Sequence, residues 1–170
     1  MLPSSKGVAL AIDKLLFRQI AGSFASGVTV IATGRDGDYH GMTASSFASL
    51  SLEPPLVLVC VDRAAATLPF LQRTGAFSVN ILADSQAEIS RQFAAKDSPQ
   101  AHGLEGVGYR LGEGGVPVIE DCLAYFECRV GQQYDGGDHI IFVGEVIGGG
   151  LGAAAEHLLY YRGAYRTLGQ

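Results

Sequence analysis

Hydrophobic and polar residues along this chain recur mainly with the two-residue period of β-strands. Residues 28–33 are rich in β-branched side chains and lead into Asp36-Gly37, a dipeptide typical of tight hairpin turns. The chain is therefore expected to return as a second strand over 39–43. The apolar run at 56–61 predicts a strand that is buried on both faces, and 77–82 predict another strand.

The second half of the chain predicts a long antiparallel hairpin. Apolar and polar residues alternate over 122–130, a glycine-rich turn follows at 135–137, and 140–147 return as the partner strand. Aromatic residues at 158–161 and 164–168 indicate two short closing strands.

Three segments show helical signals. Apolar residues at helical spacing predict a helix over 13–24, and a second short helix is expected over 67–73. The third helix should begin at a capping box, 85–88, and should bury Ile89 and Phe93.

Residues 96–120 contain many glycines and show little periodicity. This composition predicts a long irregular excursion over the surface, not a linker between domains. Such an excursion could cover a site.

These elements amount to six or seven strands and two or three short helices, without the regular strand-helix alternation of a doubly wound sheet. A closed or nearly closed antiparallel barrel with helices packed outside fits them best. Closure would also remove exposed sheet edges.

Composition and charge narrow the possible functions. The 170 residues are expected to form one domain over 1–170, with a core at about 13–168. Hydrophobic residues make up 48% and charged residues 17%, which favours an oligomer. A net charge of -5 without basic runs argues against nucleic acids, and no apolar window approaches the ~20 residues of a membrane span. With no signal-peptide pattern, we expect a cytoplasmic protein.

Familiar catalytic motifs are missing from the sequence. Phosphate-loop, dinucleotide-binding, zinc-protease and serine-hydrolase signatures do not occur, and the four histidines are scattered, so no metal site is expected. Cys60, Cys122 and Cys128 show no metal-ligand spacing. We expect Cys122 and Cys128 to be buried thiols on one sheet face, with a reactive nucleophile as the alternative.

Five segments, taken in order, carry a family resemblance. They are FRQIAGSFASGVTV at 17–30, GMTASSF at 41–47, SLEPPLV at 51–57, FSVNIL at 77–82, and GDH at 137–139 followed by FVGEV. Together they resemble the short-chain flavin reductase family, the NAD(P)H-dependent reductase components of two-component flavin monooxygenases. The match extends from about residue 17 to 167.

The resemblance implies a fold, an activity and partners. The fold would be a mainly β, antiparallel split β-barrel with flanking helices, usually a homodimer that binds FMN or FAD. The family moves a hydride from NADH or NADPH to the flavin, which often passes to a partner monooxygenase. Holding nicotinamide C4 and flavin N5 about 3 to 3.5 Å apart, with the rings stacked, would supply much of the rate. No protein acid or base would be obligatory.

The small and hydroxyl-bearing segment at 42–47 suits a flavin ring. Small residues let the main chain approach the ring, and the amides of 44–47 can bind its rim if they are left out of the sheet ladder. Such donors would stabilise the negative charge that grows on the ring. The alternative is a strand edge with hydroxyls facing water. The resemblance assigns to the flavin Met42, Thr43, Ala44, Ser45, Ser46, Phe47, Cys60, Val61, Asp62 and Asn80.

The flavin phosphate requires cationic or hydroxyl donors. The candidates from the resemblance are Arg63, Ala66, Thr67, Arg91 and Phe93. Alanines at 64 and 66 stand where the family often has serines, so the phosphate contacts depart from the pattern. Arg63 and Arg91 could instead be solvated surface side chains.

His139 is the catalytic candidate, because the family's Gly-Asp-His lies beside the nicotinamide. Its imidazole could stack on the nicotinamide or hydrogen-bond it, or it could be a turn histidine held by Asp138. Tyr165, in the closing aromatic segment, could cover the flavin or belong to the barrel seam.

Two other functions stay open at this point. One is a non-catalytic flavin-binding or electron-carrier protein. The other is an FMN enzyme of the pyridoxamine-phosphate-oxidase type, although that group relies on several basic residues and this chain has 12 lysines and arginines. The choices between FMN and FAD, and between NADH and NADPH, also stay open.

Overall fold

The computed structural model describes residues 12–95, 103–153 and 156–168, and these form mainly antiparallel strands. The helices are α1 (Lys14–Ala21), α2 (Leu68–Thr74) and α3 (Ala87–Ala94). The strands are β1 (Ser26–Gly27), β2 (Thr29–Arg35), β3 (Asp38–Ala44), β4 (Phe47–Leu52), β5 (Pro55–Asp62), β6 (Ala76–Ile81), β7 (Tyr109–Leu111), β8 (Pro117–Ile119), β9 (Ala124–Gly136), β10 (His139–Leu151), β11 (Leu159–Tyr161) and β12 (Ala164–Arg166).

Seven strands make one antiparallel sheet, in the order β3-β2-β6-β9-β10-β5-β4. Its two edge strands, β3 and β4, follow each other in the chain and are separated only by Ser45 and Ser46. Opposite edges joined by two residues force the sheet to curl into a barrel. Because β3 and β4 do not pair with each other in the described residues, the barrel keeps an open seam. The predicted mainly β, antiparallel split barrel is confirmed, and of the closed or nearly closed forms expected from the pattern alone it is the nearly closed one.

The core lies in two layers. The barrel interior is filled by large buried side chains such as Ile31, Phe77 and Phe142. A second cluster, which includes Leu82 and Phe93, lies between the outer face of β2 and α3. Burying such side chains contributes roughly 1.5–3 kcal/mol each, which holds α3 on the barrel.

Both predicted hairpins form. The β2–β3 turn places Asp36 at φ +56° and Gly37 at φ +89°, as a tight hairpin turn requires. The β9–β10 strands are longer than predicted, and their turn lies at Gly137-Asp138 because the ladder continues to the pair Gly136 and His139. Gly137, at φ +81°, supplies the left-handed conformation there.

Strand β5 corrects one expectation. Its burial alternates, so that Val57, Val59 and Val61 are buried whereas Cys60 between them is half-buried. The prediction of burial on both faces was wrong, because the second face carries no packed layer at its end and lines a cavity.

The helices also depart from the sequence pattern. α1 forms behind the N-cap Asp13, but its apolar stripe buries no residue among the described parts. The capping interaction before α3 lies two residues earlier than predicted: the Gln86 side chain accepts a hydrogen bond from the Ala83 N–H at 3.1 Å. Phe93 is buried as expected, and Ile89 only partly.

Residues 103–120 of the glycine-rich region are more ordered than predicted. Residues 96–102 lie outside the described residues, but 103–120 contain the β7–β8 hairpin and bury Leu104, Val107 and Ile119. The side chain of Ser78 and the amide of Asn80 bind this segment to β6. No helix in the described parts of the chain is long and apolar enough to cross a membrane.

Candidate functional site

A cavity of about 580 Å³ opens beside the barrel seam. Its walls come from the end of β3 and the link to β4, from β5 and the segment after it, from the end of α3, and from the first residue of β10. The lining residues are Met42, Thr43, Ala44, Ser45, Ser46, Cys60, Asp62, Ala64, Ala65, Ala66, Phe93, Ala94 and His139. Its volume is typical of a small-molecule site.

Most of the residues predicted for the flavin therefore meet at one place. Ala64, Ala65 and Ala94 line the cavity without having been predicted. In the sequence, Ala64 stands out only because it lacks the hydroxyl that the family often has there. The missed signal was the run of small side chains directly after a strand, which lets a ligand approach the main chain.

The link between β3 and β4 presents main-chain donors. Ser45 and Ser46 belong to neither strand, and within the described residues nothing accepts a hydrogen bond from their amide N–H groups. Ser46 is tied to β5, because its carbonyl accepts from the Cys60 N–H at 3.2 Å and its hydroxyl donates to the Cys60 carbonyl at 3.0 Å. These two bonds hold in place the cavity wall that residues 42–46 form.

The hydroxyls of this wall have different roles. Thr43 donates to the Ser90 carbonyl at 2.7 Å, which fixes β3 to α3. The Ser45 hydroxyl is exposed and bonds to none of the described residues. Of the three predicted hydroxyl donors, Ser45 is the one whose hydrogen is available to a ligand.

His139 begins β10 and lies opposite Asp62 of β5. Its Nδ1 is 2.7 Å from a carboxylate oxygen of Asp138, and its side chain lines the cavity with 40% of its surface exposed. The hydrogen bond from His139 lowers the pKa of Asp138, so this carboxylate is ionised at neutral pH. An ionised Asp138 accepts a hydrogen bond from Nδ1–H, which leaves Nε2 as the ring nitrogen not engaged by Asp138.

Seven of the predicted residues do not line the cavity, and four of these pack or bond within the barrel. Val61 is fully buried in the barrel core, and Phe47 packs against the same core near Phe126. The amide of Asn80 bonds to the Val30 carbonyl, the Ser78 hydroxyl and the Ile119 N–H. Thr67, also buried, donates its hydroxyl to the Gly41 carbonyl at 3.0 Å.

The predicted phosphate cations lie apart from the cavity as well. Arg63 bonds to Asp135 and to the Gly137 carbonyl. Arg91 pairs with Glu88 and lies 5.0 Å over the ring of Tyr165, which is itself outside the lining. Within residues 12–95, 103–153 and 156–168, no lysine or arginine side chain lines the cavity.

Burial raises the pKa of all three thiols, which disfavours their thiolate forms. Cys122 and Cys128 are buried as predicted, and burial raises the pKa of Cys128 to about 12. Cys122 precedes β9, so it does not share that strand's alternation. Cys60 lines the cavity, and its pKa is also raised by burial. The described residues contain no group of metal-ligating side chains.

The cavity's lining fits the flat ring of a flavin. Alanines at 44 and 64–66 make a low wall, while the amides and hydroxyl at Ser45 and Ser46 supply donors at its rim. A model of the flavin reductase-like domain matches residues 21–169. The chain belongs to the flavin reductase-like family.

Relatives and solved structures of this family cover nearly the whole chain. A flavin reductase of Pseudomonas putida is 39% identical over 93% of this chain and 92% of its own length. The reductase subunit of a flavin-dependent monooxygenase of Mycobacterium tuberculosis is 38% identical over 91% of this chain and 82% of its own length. The NADH:FAD oxidoreductase of Streptomyces globisporus, solved with NAD and FAD fragments, matches with a TM-score of 0.85 and 39% identity, covering 92% of this chain and 93% of that one. The family member described here therefore has the split-barrel fold that its sequence predicted.

Proposed function

We propose that this protein is an NAD(P)H-dependent flavin reductase, transferring a hydride from NADH or NADPH to FMN or FAD. The observation that carries the proposal is one cavity lined by free main-chain donors on one side and by His139 on another, in a chain of the flavin reductase-like family. A bound flavin supplies the ring that accepts the hydride.

The chain's own residues bind and orient the flavin ring and the nicotinamide. We assign the wall of 42–46 and 64–66 to the ring, where its small side chains permit close approach. The amides of Ser45 and Ser46 would then stabilise negative charge on the ring rim as reduction proceeds. We assign His139, held by Asp138, to the nicotinamide, which it can stack on or hydrogen-bond. No side chain needs to act as an acid or a base.

We further propose that the active form is a homodimer. α1 exposes Leu15, Phe17 and Ile20 by 68%, 60% and 59%, which is a costly arrangement for an isolated subunit in water. A second copy of the chain would cover this face. In line with its three free thiols and its nicotinamide donor, we place the protein in the cytoplasm.

We propose a monooxygenase as the consumer of reduced flavin. The support is that a relative of this chain is the reductase subunit of a flavin-dependent monooxygenase. Because no cation lines the described cavity, a flavin would be held mostly by its ring, which suits a ligand that leaves after reduction.

The test is oxidation of NADH and NADPH, followed at 340 nm, with riboflavin, FMN and FAD each added. We expect oxidation that depends on added flavin. Failure of every nucleotide and flavin pair to react would contradict the proposal, even if flavin binds.

The assignment of His139 has its own test. His139→Ala should raise the KM for the nicotinamide about tenfold and change the Kd for flavin by less than about twofold. His157→Ala, at an exposed histidine outside the cavity lining, is the control. Equal losses of flavin and nicotinamide binding would mean that His139 is structural.

A further inference from the structure

We propose that Arg63 is a positioning residue for His139, and not a ligand of the flavin phosphate. The inference rests on the proposed function in that His139 is taken to meet the nicotinamide.

Arg63 makes three hydrogen bonds to the tip of the β9–β10 hairpin, and its two side-chain bonds, to Asp135 and Gly137, are called the clamp below. Its Nε donates to the Gly137 carbonyl at 2.8 Å, its terminal guanidinium nitrogen donates to Asp135 at 2.5 Å, and its main-chain N–H donates to the Asp138 carbonyl at 3.0 Å. The same Asp135 oxygen accepts from the Gly137 N–H at 3.3 Å. The residue directly after β5 therefore contacts both residues of the turn, Gly137 and Asp138.

The residues that Arg63 bonds to adjoin His139 in the chain. The turn residue Asp138, whose carbonyl Arg63 engages, holds the imidazole by its carboxylate at 2.7 Å. His139 is also paired across the sheet with Asp62, the neighbour of Arg63 in sequence. The main-chain bond to Asp138 would form with any residue at 63, so the part that the Arg63 side chain adds is its hold on Gly137 and Asp135, which fixes the turn that carries Asp138 and His139.

The same contacts direct the guanidinium of Arg63 toward the hairpin and not toward the cavity. Its Nε and one terminal nitrogen are committed to hairpin acceptors, and the guanidinium lowers the pKa of Asp135, which keeps the partner ionised. Arg63 does not line the cavity. A planar guanidinium that meets two acceptors at once fixes geometry as well as charge.

A second exposed ion pair provides a matched control. Arg73 donates to Asp38 at 2.8 Å, joining α2 to β3, and neither residue lines the cavity. Both pairs are largely exposed, so each contributes little to global stability. The effect of removing the Arg63 clamp should therefore be local.

The experiment compares Arg63→Gln, Asp135→Asn and Arg73→Gln in the full chain. For Arg63→Gln we expect the KM for the nicotinamide to rise about three- to tenfold, with the Kd values for FMN and riboflavin both unchanged. Asp135→Asn should give the same pattern in weaker form, because it removes the charge of one partner but leaves the bond from Arg63 Nε to the Gly137 carbonyl. Arg73→Gln should leave all three values unchanged.

NMR supplies a readout that does not need turnover. The amide signals of Gly137 and His139 should broaden or shift in the Arg63 and Asp135 variants and stay unchanged in Arg73→Gln. If the wild-type protein oxidises no nicotinamide, the reductase proposal fails, while this measurement still decides whether Arg63 positions His139.

Two results would overturn the inference. Weaker binding of FMN but not of riboflavin in Arg63→Gln, with no effect of Asp135→Asn, would make Arg63 a phosphate ligand. Kinetics and hairpin signals in Arg63→Gln that match those of Arg73→Gln would make the clamp irrelevant to His139.

Discussion

Cys60 is the only one of the three thiols that borders the cavity. It lies in β5, half-buried, and its main chain is tied to Ser46 through two hydrogen bonds. Burial raises its pKa, so its thiolate fraction at neutral pH is smaller than that of a free cysteine. Its reaction with a thiol reagent should therefore be slow and should speed up as the pH rises.

We predict that maleimide labels Cys60 before the other thiols and that saturating FMN slows this labelling by about fivefold or more. Mass spectrometry of peptides after timed labelling at pH 7 and pH 8.5 measures both effects. Cys60→Ser is the control and should remain unlabelled until urea exposes Cys122 and Cys128. Labelling of Cys60 that FMN does not slow would place the flavin elsewhere.

The motif-bearing residues of the site could be predicted from the sequence, but several roles could not. Residues 42–46 and His139 could be assigned to the site because they belong to short contiguous segments that carry the pattern of the family. Arg63 and Asn80 were assigned to the flavin, yet their side chains bond to acceptors and donors supplied by Asp135 and Ile119. Such partners are distant in the chain, and only the folded barrel brings them together.

At the level of elements, α3 is pressed against β3 at Gly41. A Cβ atom at this position would lie 2.7 Å from the buried ring of Phe93. Phe93 also lines the cavity, so the close approach of helix and strand sets the position of one cavity wall.

We predict that Gly41→Ala destabilises the protein by about 1–3 kcal/mol and weakens flavin binding, because the Phe93 ring must move. Urea unfolding and flavin titration measure the two effects. Gly27→Ala is the matched control, since a Cβ at Gly27 meets nothing within 4 Å. Unchanged stability and flavin affinity in Gly41→Ala would show that α3 can shift without cost.

The sequence predicted whether a segment forms a strand or a helix better than it predicted what each face of that element contacts. The apolar run of β5 predicted a strand correctly, but periodicity does not reveal that one face of Cys60 borders a cavity. The glycine-rich segment hid the β7–β8 hairpin because its strands have three residues each, too short to show a period.

At the scale of the whole molecule, several large apolar side chains are left exposed to water. α1 presents its stripe outward, and Leu52 on the edge strand β4 is 91% exposed. A stable interface between two copies buries about 800 Å² on each, which an amphipathic helix and a sheet edge can supply.

We predict a dimer in sedimentation analysis, which Phe17→Glu should weaken by at least about tenfold in dissociation constant, because a charge would have to be buried. Gln19→Glu adds the same charge to the same helix and should leave the dimer intact. A monomeric wild-type protein, or equal dissociation constants for both variants, would exclude α1 from a dimer interface.

The pairing of His139 with Asp62 also has a consequence for the order of folding. β5 is complete before α2, β6, α3 and β7–β9 follow in the chain, whereas β10 comes after all of them. Joining β5 to β10 closes a long loop, so it should follow the local β2–β3 and β9–β10 hairpins. The cavity would then come into being in the last stage, when the hairpin docks. A flavin can therefore stabilise the finished barrel, but it cannot guide the chain toward it.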